Sequence, residues 1–280
     1  MTSKILVKTL ALCEAMRPFT SILGIAGAYI GGIVADAPFF SIPLLLSMAV
    51  VFFVGAGSMP FNDYFDREVD LISHPNRPIP SKRLSTKETL YFSILLFSLA
   101  VFFSIFINLL CFVIVIFSIG FLYFYEVFFK NQGFMGNIVV AFLSSMSFTF
   151  GGIAVGNPFA SLLLSFLTFF LFTGREILKD VQDVKGDVFT RNTLPMKIGE
   201  EKAVLVASIF LIVAILLSPL PFILHQLGFG YLIVIIMVDL LVIYIIKQNL
   251  KDLRNTEQSV GLTRIAAAIG IIAIIIGVVL

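Results

Sequence analysis

Charged residues are scarce in this sequence. They make up 13% of its 280 residues, whereas a soluble globular domain carries about 25%. Hydrophobic residues reach 59%, and apolar segments of roughly 20 residues, the length that crosses a bilayer as a helix, recur along the whole chain. This composition excludes a soluble domain with a single anchor and predicts an all-α integral membrane protein.

Cysteines and nucleotide-binding motifs are few or missing as well. Cys13 and Cys111 lie far apart and near no histidine cluster, which favours small apolar packing residues over a disulfide or metal site. The chain has no P-loop, glycine-rich nucleotide motif or kinase signature, and the D-G-x-x-A-R signature of CDP-alcohol phosphotransferases is also missing. A signal peptide is not expected, because Glu14 and Arg17 interrupt the apolar part of the N-terminal segment.

Basic residues are missing from one side of the predicted membrane topology. The hydrophobic segments predict nine spans, at about residues 19–35, 39–61, 89–107, 109–127, 135–156, 159–178, 202–218, 229–246 and 262–280. All 19 Lys and Arg residues lie in or beside the alternate connections 1–18, 62–88, 128–134, 175–201 and 247–261. The positive-inside rule therefore predicts a multi-pass protein of the cell membrane whose N-terminus and these connections are cytoplasmic.

Two of the cytoplasmic connections, 62–88 and 175–201, are long and share an acidic pattern. Each carries three aspartates with the spacing D-x-x-D-x-x-x-D, offset by 117 residues: Asp63, Asp66 and Asp70 in the first, and Asp180, Asp183 and Asp187 in the second. Four predicted spans separate the two copies, so both lie on the same side. This predicts a parallel duplication of a four-helix unit with a ninth helix added.

Helical geometry would turn each acidic pattern into a stripe. On a continuous helix the acids of the first connection, together with Asn62, fall within an arc of roughly 100°. Those of the second, together with Glu176, fall within roughly 60°. Such oxygen ligands suit Mg²⁺ shared with phosphate. The predicted metal ligands are Asn62, Asp63, Asp66, Asp70, Asp180, Asp183 and Asp187.

A solvated connection is the alternative interpretation, with the acids paired to neighbouring Arg67, Lys179 and Lys185. One cluster alone would favour that interpretation, whereas two clusters of identical spacing on one side favour a metal site. A pair of such sites suggests Mg²⁺ bridging a diphosphate, with further phosphate oxygens held by basic residues. The basic residues predicted to hold phosphate oxygens are Lys82, Arg83, Lys179, Lys185, Arg191 and Lys197.

The rest of the substrate is expected to be a lipid, because the predicted site opens into a helical bundle. The chain has 31 Phe and 7 Tyr, and aromatic faces stabilise a carbocation by cation–π attraction. An allylic diphosphate fits both features: metal ions draw off the diphosphate, aromatic rings shelter the cation, and an acceptor attacks it.

These segments resemble a known family. "NDYFDREVD" followed by "NRPIPS", and then "DVQDVKGD", is similar to the UbiA superfamily of intramembrane prenyltransferases, and the resemblance covers essentially the whole chain. It implies one transmembrane domain over residues 1–280, a bundle around a central cavity capped by 62–88 and 175–201, and Mg²⁺-dependent prenyl transfer. It also implies catalytic roles for Asp66 and Asp183. Substrate-binding roles follow for Arg17, Asn62, Arg77, Tyr123 and Lys130. For Tyr123 and Lys130 the alternative is an aromatic residue at the membrane interface and a lysine that extends to the membrane surface.

Within the family, "GREILKDVQDVKGD" is most similar to the members that build archaeal ether lipids. That likeness implies geranylgeranyl diphosphate as donor and 3-O-geranylgeranylglyceryl phosphate as acceptor. The phosphate of the acceptor requires further cations, for which the candidates are Arg17, Lys185, Arg191 and Lys197. One departure is "PSKR" at 80–83, where Lys82 stands at a position that is often glycine in the family.

Two other functions stay open on the sequence. Prenyl transfer to an aromatic acceptor, such as a quinone or chlorophyll precursor, would use the same motifs. A cation transporter would also carry acids in a repeated membrane fold, although transporter sites usually lie near the bilayer midplane. The obvious mid-span acid is Asp239, which we interpret as a structural polar residue.

Overall fold

The computed structural model describes residues 2–130, 132–187 and 192–279, without the side chains of residues 2–4, 19–20 and 185–187. Within these ranges every regular element is helical and no strand occurs. The first helices are α1 Thr2–Ala15, α2 Pro18–Val34, α3 Ile42–Phe65, α4 Arg67–Ser73, α5 Thr86–Ile105 and α6 Leu109–Phe124, which a π-helical turn Tyr125–Phe129 extends. The later ones are α7 Phe134–Ala154, α8 Leu162–Asp187, α9 Leu194–Ile198, α10 Glu200–Leu217, α11 Leu220–Ile223, α12 Phe229–Lys251 and α13 Thr256–Val279, with a 3₁₀ turn Leu253–Asn255 before α13.

The membrane character predicted from composition is confirmed. Seven helical segments of the described chain are long and apolar enough to cross a membrane: 42–65, 86–105, 109–129, 134–154, 200–223, 229–251 and 253–279. The other two predicted spans also correspond to helices. The apolar stretch of α2, Ser21–Val34, is shorter, and α8 brings Arg175, Glu176 and Lys179 close behind its apolar residues. The count of nine spans and the four-helix repeat stay predictions.

Residues Met1–Ala26 and Phe40–Glu126 form one compact unit. Its centre is the tight packing of α3 against α5. The Ser93 hydroxyl donates a hydrogen bond to the Gly57 carbonyl at 2.8 Å, and a Cβ atom at Gly57 would lie 2.9 Å from the Phe97 ring. Helix α1 lies outside the predicted spans, and its Ala11 and Ala15 pack on Leu84, so α1 supports the segment that follows the first acidic motif.

Residues Gly27–Phe39 and Val127–Leu280 form a second compact unit with a larger apolar core. Ile177 and Leu178 are buried in this core, and α8 packs against α7, α10 and α13. The helix that carries the second acidic motif is therefore fixed by its apolar face. The unit also contains a very close helix contact. A Cβ atom at Gly151 of α7 would lie 1.9 Å from the Ala28 carbonyl oxygen of α2, so only glycine fits at this crossing.

Helix continues into both connections 62–88 and 175–201, which is the condition under which the acids were predicted to form stripes. The predicted spans ended at residues 61 and 178, but α3 continues to Phe65 and α8 to Asp187. Between α3 and α4 the chain bends at Asp66, whose ψ is 2°. The helical hydrogen bonds nevertheless continue from Asp66 N–H to Asn62 and from Asp70 N–H to Asp66, at 2.9 and 2.8 Å. A helix can continue past the end of an apolar segment, because its backbone hydrogen bonds do not depend on apolar side chains.

Candidate active site

The aspartates of the first acidic segment are buried, and arginines hold two of them. Asp63, Asp66 and Asp70 are 3%, 7% and 2% exposed. Arg77 donates from Nη1 to both carboxylate oxygens of Asp70 at 2.7 Å, and the same nitrogen lies 3.6 Å from Asp63 Oδ1. Arg17 also donates to Asp63. Two guanidinium groups thus balance two carboxylates that would otherwise be buried without a counter-charge.

Arg17 reaches Asp63 from a strained part of the backbone. It links α1 to α2 with a φ of 46°, in the left-handed region, and directly precedes Pro18. Residues other than glycine adopt this conformation at a cost of about 1–2 kcal/mol. Strain of this kind persists where the surroundings hold the residue in place, and here the ion pair with Asp63 does so.

A second polar contact joins Asn62 to the π-helical turn. The Asn62 Nδ2 group donates to Glu126 Oε1 at 2.8 Å, and Glu126 is 9% exposed. Glu126 was not among the predicted site residues, although an acid inside the apolar run "LYFYEVFFK" was a signal for a specific partner. Turns of π-helix inside α-helices are frequent at functional sites. The turn aims Glu126 at the first residue of the acidic segment.

The tail of the first segment, "NRPIPSKR", is a tight turn. Lys82 has a φ of 60°, a value that favours glycine, which gives a physical reason for the glycine often found there in the family. Arg83 forms ion-paired hydrogen bonds with both oxygens of Glu14 and donates to the Asn76 carbonyl at 2.6 Å. The hydrogen bonds to Glu14 raise the pKa of Arg83 above its ordinary value. Arg83 therefore anchors the turn to α1.

Aromatic rings cluster beside the first segment. The Phe61 and Phe65 rings meet edge to face at 5.1 Å between centroids, and each precedes a polar residue of the motif. Phe61 also contacts the Phe97 ring at 5.6 Å, and Phe65 lies 6.5 Å from Tyr123. Tyr123, which was predicted to bind substrate, thus belongs to an aromatic surface of this unit, and it is half exposed.

In the second unit, Asp180 and Asp183 project from α8 and are half-buried. Asn137 of α7 donates from Nδ2 to Asp180 Oδ2 at 2.9 Å. Glu176, which the helical arc grouped with these acids, forms an ion pair with Arg175 and lies 3.9 Å from Lys179. Lys179 therefore has a glutamate neighbour, as does Arg67, which lies 3.6 Å from Glu68. In both pairs the acid is a glutamate and not one of the motif aspartates.

The remaining predicted basic residues are only partly described. Lys197 donates from Nζ to the Gln132 carbonyl at 3.2 Å, which ties α9 to the connection before α7. Lys130 follows the π-helical turn directly. The side chains of Lys185 and Asp187, and the whole of Arg191, lie outside the described residues.

The donor atoms of both segments fit Mg²⁺. Carboxylate and amide oxygens dominate, without thiolate or imidazole, and hard cations prefer such ligands. Among the described side chains, no group of three or more His, Cys, Asp or Glu is arranged to hold a metal ion. One observation nevertheless favours a further ligand in the second unit: Asn137 Oδ1 is buried and accepts no hydrogen bond from the described residues.

The mid-span acid Asp239 belongs to a separate polar network. Ser218 donates from its hydroxyl to Asp239 Oδ2 at 2.6 Å, and the Tyr231 hydroxyl donates to the Ser218 carbonyl at 2.6 Å. These contacts join α12 to the end of α10, which agrees with a structural role for this acid.

Comparison with known proteins agrees with the likeness seen in the motifs. The UbiA prenyltransferase family matches residues 24–279. Digeranylgeranylglyceryl phosphate synthase of Methanococcus maripaludis strain C6 is 36% identical over 274 residues, which cover 93% of this chain and 97% of that protein. The protein of the same name from Methanosarcina barkeri strain Fusaro is 38% identical over 246 residues, covering 87% and 84%.

Solved structures give the same result. A structure of digeranylgeranylglyceryl phosphate synthase superimposes with a TM-score of 0.80 at 34% identity, covering 97% of this chain and 99% of that chain. A UbiA homologue from Archaeoglobus fulgidus bound to DMAPP and Mg²⁺ superimposes with a TM-score of 0.67, covering 95% and 99%. At 16% identity the latter shows the fold alone. On the family match and these near-full-length relatives, the chain belongs to the UbiA prenyltransferase family.

Proposed function

We propose that this protein transfers a geranylgeranyl group from geranylgeranyl diphosphate to the free hydroxyl of 3-O-geranylgeranylglyceryl phosphate, in a Mg²⁺-dependent reaction. The observation that carries the proposal is the likeness to digeranylgeranylglyceryl phosphate synthases along 93% of the chain. Both acidic segments fall within the matched region. The product is an archaeal-type ether lipid precursor.

The acidic segments are proposed to hold Mg²⁺ and, through it, the diphosphate. In the first, Asn62, Asp66 and Asp70 are the ligands, while Asp63 is committed to Arg17 and Arg77. Asp70 can take part because a carboxylate has about four lone-pair sites, of which Arg77 uses two. In the second segment the ligands are Asp180, Asp183 and Asp187. Bound Mg²⁺ supplies positive charge that stabilises the departing diphosphate.

Other side chains of the protein complete the chemistry. Arg77, one quarter exposed, and lysines near both segments provide donors for phosphate oxygens. The rings of Phe61, Phe65 and Tyr123 offer faces to the allylic cation. The acceptor oxygen forms its bond to that cation and loses its proton in the same step, to a motif aspartate or to the departing diphosphate.

The remaining substrate contacts and the topology are part of the same proposal. The phosphate groups of the donor and the acceptor are assigned to cations near the two acidic segments: Arg17, Lys82, Arg83, Lys130, Lys179, Lys185, Arg191 and Lys197. The protein is proposed to be a single domain of nine spans in the cell membrane, with its N-terminus and both acidic segments cytoplasmic. The distribution of all Lys and Arg residues supports this orientation.

A donor–acceptor matrix tests the proposal. Purified protein in lipid nanodiscs receives radiolabelled prenyl diphosphates of different chain lengths, each with 3-O-geranylgeranylglyceryl phosphate or an aromatic acid, with Mg²⁺ or EDTA. We expect labelled product from geranylgeranyl diphosphate and the glyceryl phosphate, and none in EDTA. Product from the aromatic acceptor alone would overturn the assignment, and Mg²⁺ flux into liposomes without any transfer would favour a transporter.

The two segments are tested by substitution. Asp66→Ala and Asp183→Ala are each expected to abolish transfer while the protein still elutes as a folded species in detergent. Asp252→Ala is the matched control, because Asp252 lies outside both motifs and pairs with Arg254 at 2.8 Å. Near-normal transfer by both motif variants would contradict the metal-binding roles.

A further inference from the structure

Asn137 stands out among the polar side chains that no motif includes. It lies in the first turn of α7 and is 6% exposed. Its Nδ2 group donates to Asp180 Oδ2 at 2.9 Å. An ionised carboxylate has no hydrogen to donate, so the amide nitrogen must face Asp180 and Oδ1 must point elsewhere. The contact therefore fixes the orientation of both side chains.

The oxygen of the same amide lacks a protein partner. Asn137 Oδ1 is buried and has no hydrogen-bond donor within the described part of the chain. Buried polar atoms almost always have a partner, and an unpaired one costs about 1–3 kcal/mol. Asn137 Oδ1 lies beside a motif aspartate, so a bound ligand at this site could supply the contact that the protein does not.

A second unpaired oxygen lies near the start of α7. Thr193 is 3% exposed, and its hydroxyl has no hydrogen-bond partner among the described residues. Gly133, directly before α7, has a φ of 66°, and a Cβ atom there would lie 3.1 Å from the Asn192 carbonyl oxygen. The backbone around Thr193 therefore packs against the end of α7 that carries Asn137. Asn137 and Thr193 therefore both lie near the N-terminal end of α7.

We propose that Asn137 positions Asp180 through Nδ2 and offers Oδ1 to the Mg²⁺ ion of the diphosphate complex, or to one of the waters bound to it. This inference rests on the proposed function. A neutral amide oxygen adds a ligand without adding negative charge, which suits a site that already contains several carboxylates. Polar groups that orient metal ligands typically change metal affinity by 10–100-fold when they are removed.

The test measures ion binding rather than turnover. Mn²⁺, a paramagnetic substitute for Mg²⁺, is titrated into protein in detergent with geranylgeranyl thiolodiphosphate, a poorly reactive donor analogue, and free Mn²⁺ is followed by electron paramagnetic resonance. We expect Asn137→Ala to weaken Mn²⁺ binding by about 10–100-fold. Asn137→Leu, which nearly conserves volume, is expected to weaken it equally, so that loss of packing cannot explain the result.

Asn249 supplies a matched control. It is also a buried asparagine, at 2% exposure, with an unpaired Oδ1. Its Nδ2 group donates to the Ile245 carbonyl and to the Ser259 hydroxyl, each at 2.7 Å, rather than to an acid. Asn249→Ala is expected to bind Mn²⁺ within twofold of the unmodified protein, whatever it does to thermal stability.

The outcomes separate this inference from the function on which it rests. If the unmodified protein binds no Mn²⁺ with the donor analogue, the proposed function fails. If it binds Mn²⁺ and either Asn137 variant binds equally well, the role of Asn137 is wrong while the proposed function stands. Equal weakening in Asn249→Ala would assign the effect to general destabilisation and would also overturn the inference.

Discussion

The ion pair between Arg77 and Asp70 should contribute more to stability than an ordinary surface pair. Asp70 is 2% exposed, and a single guanidinium nitrogen contacts both of its oxygens at 2.7 Å. Arg77→Met keeps much of the apolar stem and removes the charge. Asp70 is then buried without its principal partner, because the other arginine of the cluster, Arg17, pairs with Asp63.

Removing one partner of a buried pair typically costs about 3–5 kcal/mol. The Arg77 side chain is 26% exposed, so we expect the lower end, about 3 kcal/mol. Replacing both partners removes the uncompensated charge, and Arg77→Met/Asp70→Asn should therefore lie within about 1 kcal/mol of the unmodified protein. The two sites are in direct contact, so their effects should not add.

Reversible unfolding in mixed micelles with EDTA measures the free energies of unfolding of the four proteins in this cycle. A second titration adds Mg²⁺, which should stabilise Arg77→Met more than the unmodified protein, because the cation replaces the lost charge beside Asp70. The reasoning is refuted if Arg77→Met costs less than about 0.5 kcal/mol, the scale of an exposed pair. It is equally refuted if the double variant is no more stable than the single one.

Two further predictions concern backbone geometry. Gly151→Ala should destabilise the protein by at least about 2 kcal/mol in the same assay, because its Cβ would lie 1.9 Å from the Ala28 carbonyl oxygen, whereas Gly270→Ala, with no atom within 4 Å, should be neutral or stabilising. Lys82→Gly should stabilise by about 0.5 kcal/mol, since it relieves a φ of 60°; a loss of stability would show that the Lys82 side chain makes a contact that outweighs the strain.

The elements of the fold could be predicted from the sequence because apolarity over about 20 residues is a local property. Each predicted span corresponds to a helix, and the helices that contain residues 61 and 178 continue beyond the predicted span ends. The sequence pattern shows where the continuous run of apolar residues stops, whereas α8 continues to Asp187. Beyond residue 178 it is supported by burial of Val181 and by the contact of Asn137 with Asp180. The seven helices that meet the length and polarity of a span confirm the membrane class.

Partners within the site could not be predicted, because helical periodicity gives the face of a helix and not what lies opposite it. Asn62 meets Glu126, 64 residues later, and Asp180 meets Asn137, 43 residues earlier. Neither partner belongs to a motif. The lysine at position 82, where the family often has glycine, was visible in the sequence. The backbone strain that it causes depends on the sign of φ at this residue, which only the structure shows.

The first acidic segment also shows how a stripe of carboxylates remains stable before any ion binds. Three aspartates close together on one helix face should repel each other strongly in a partly buried setting. Arg17 and Arg77 balance Asp63 and Asp70, so two of the three carboxylates have an arginine counter-charge before any ion binds. Removal of Mg²⁺ should therefore abolish transfer without unfolding this segment. A segment balanced in this way does not need the ion in order to fold.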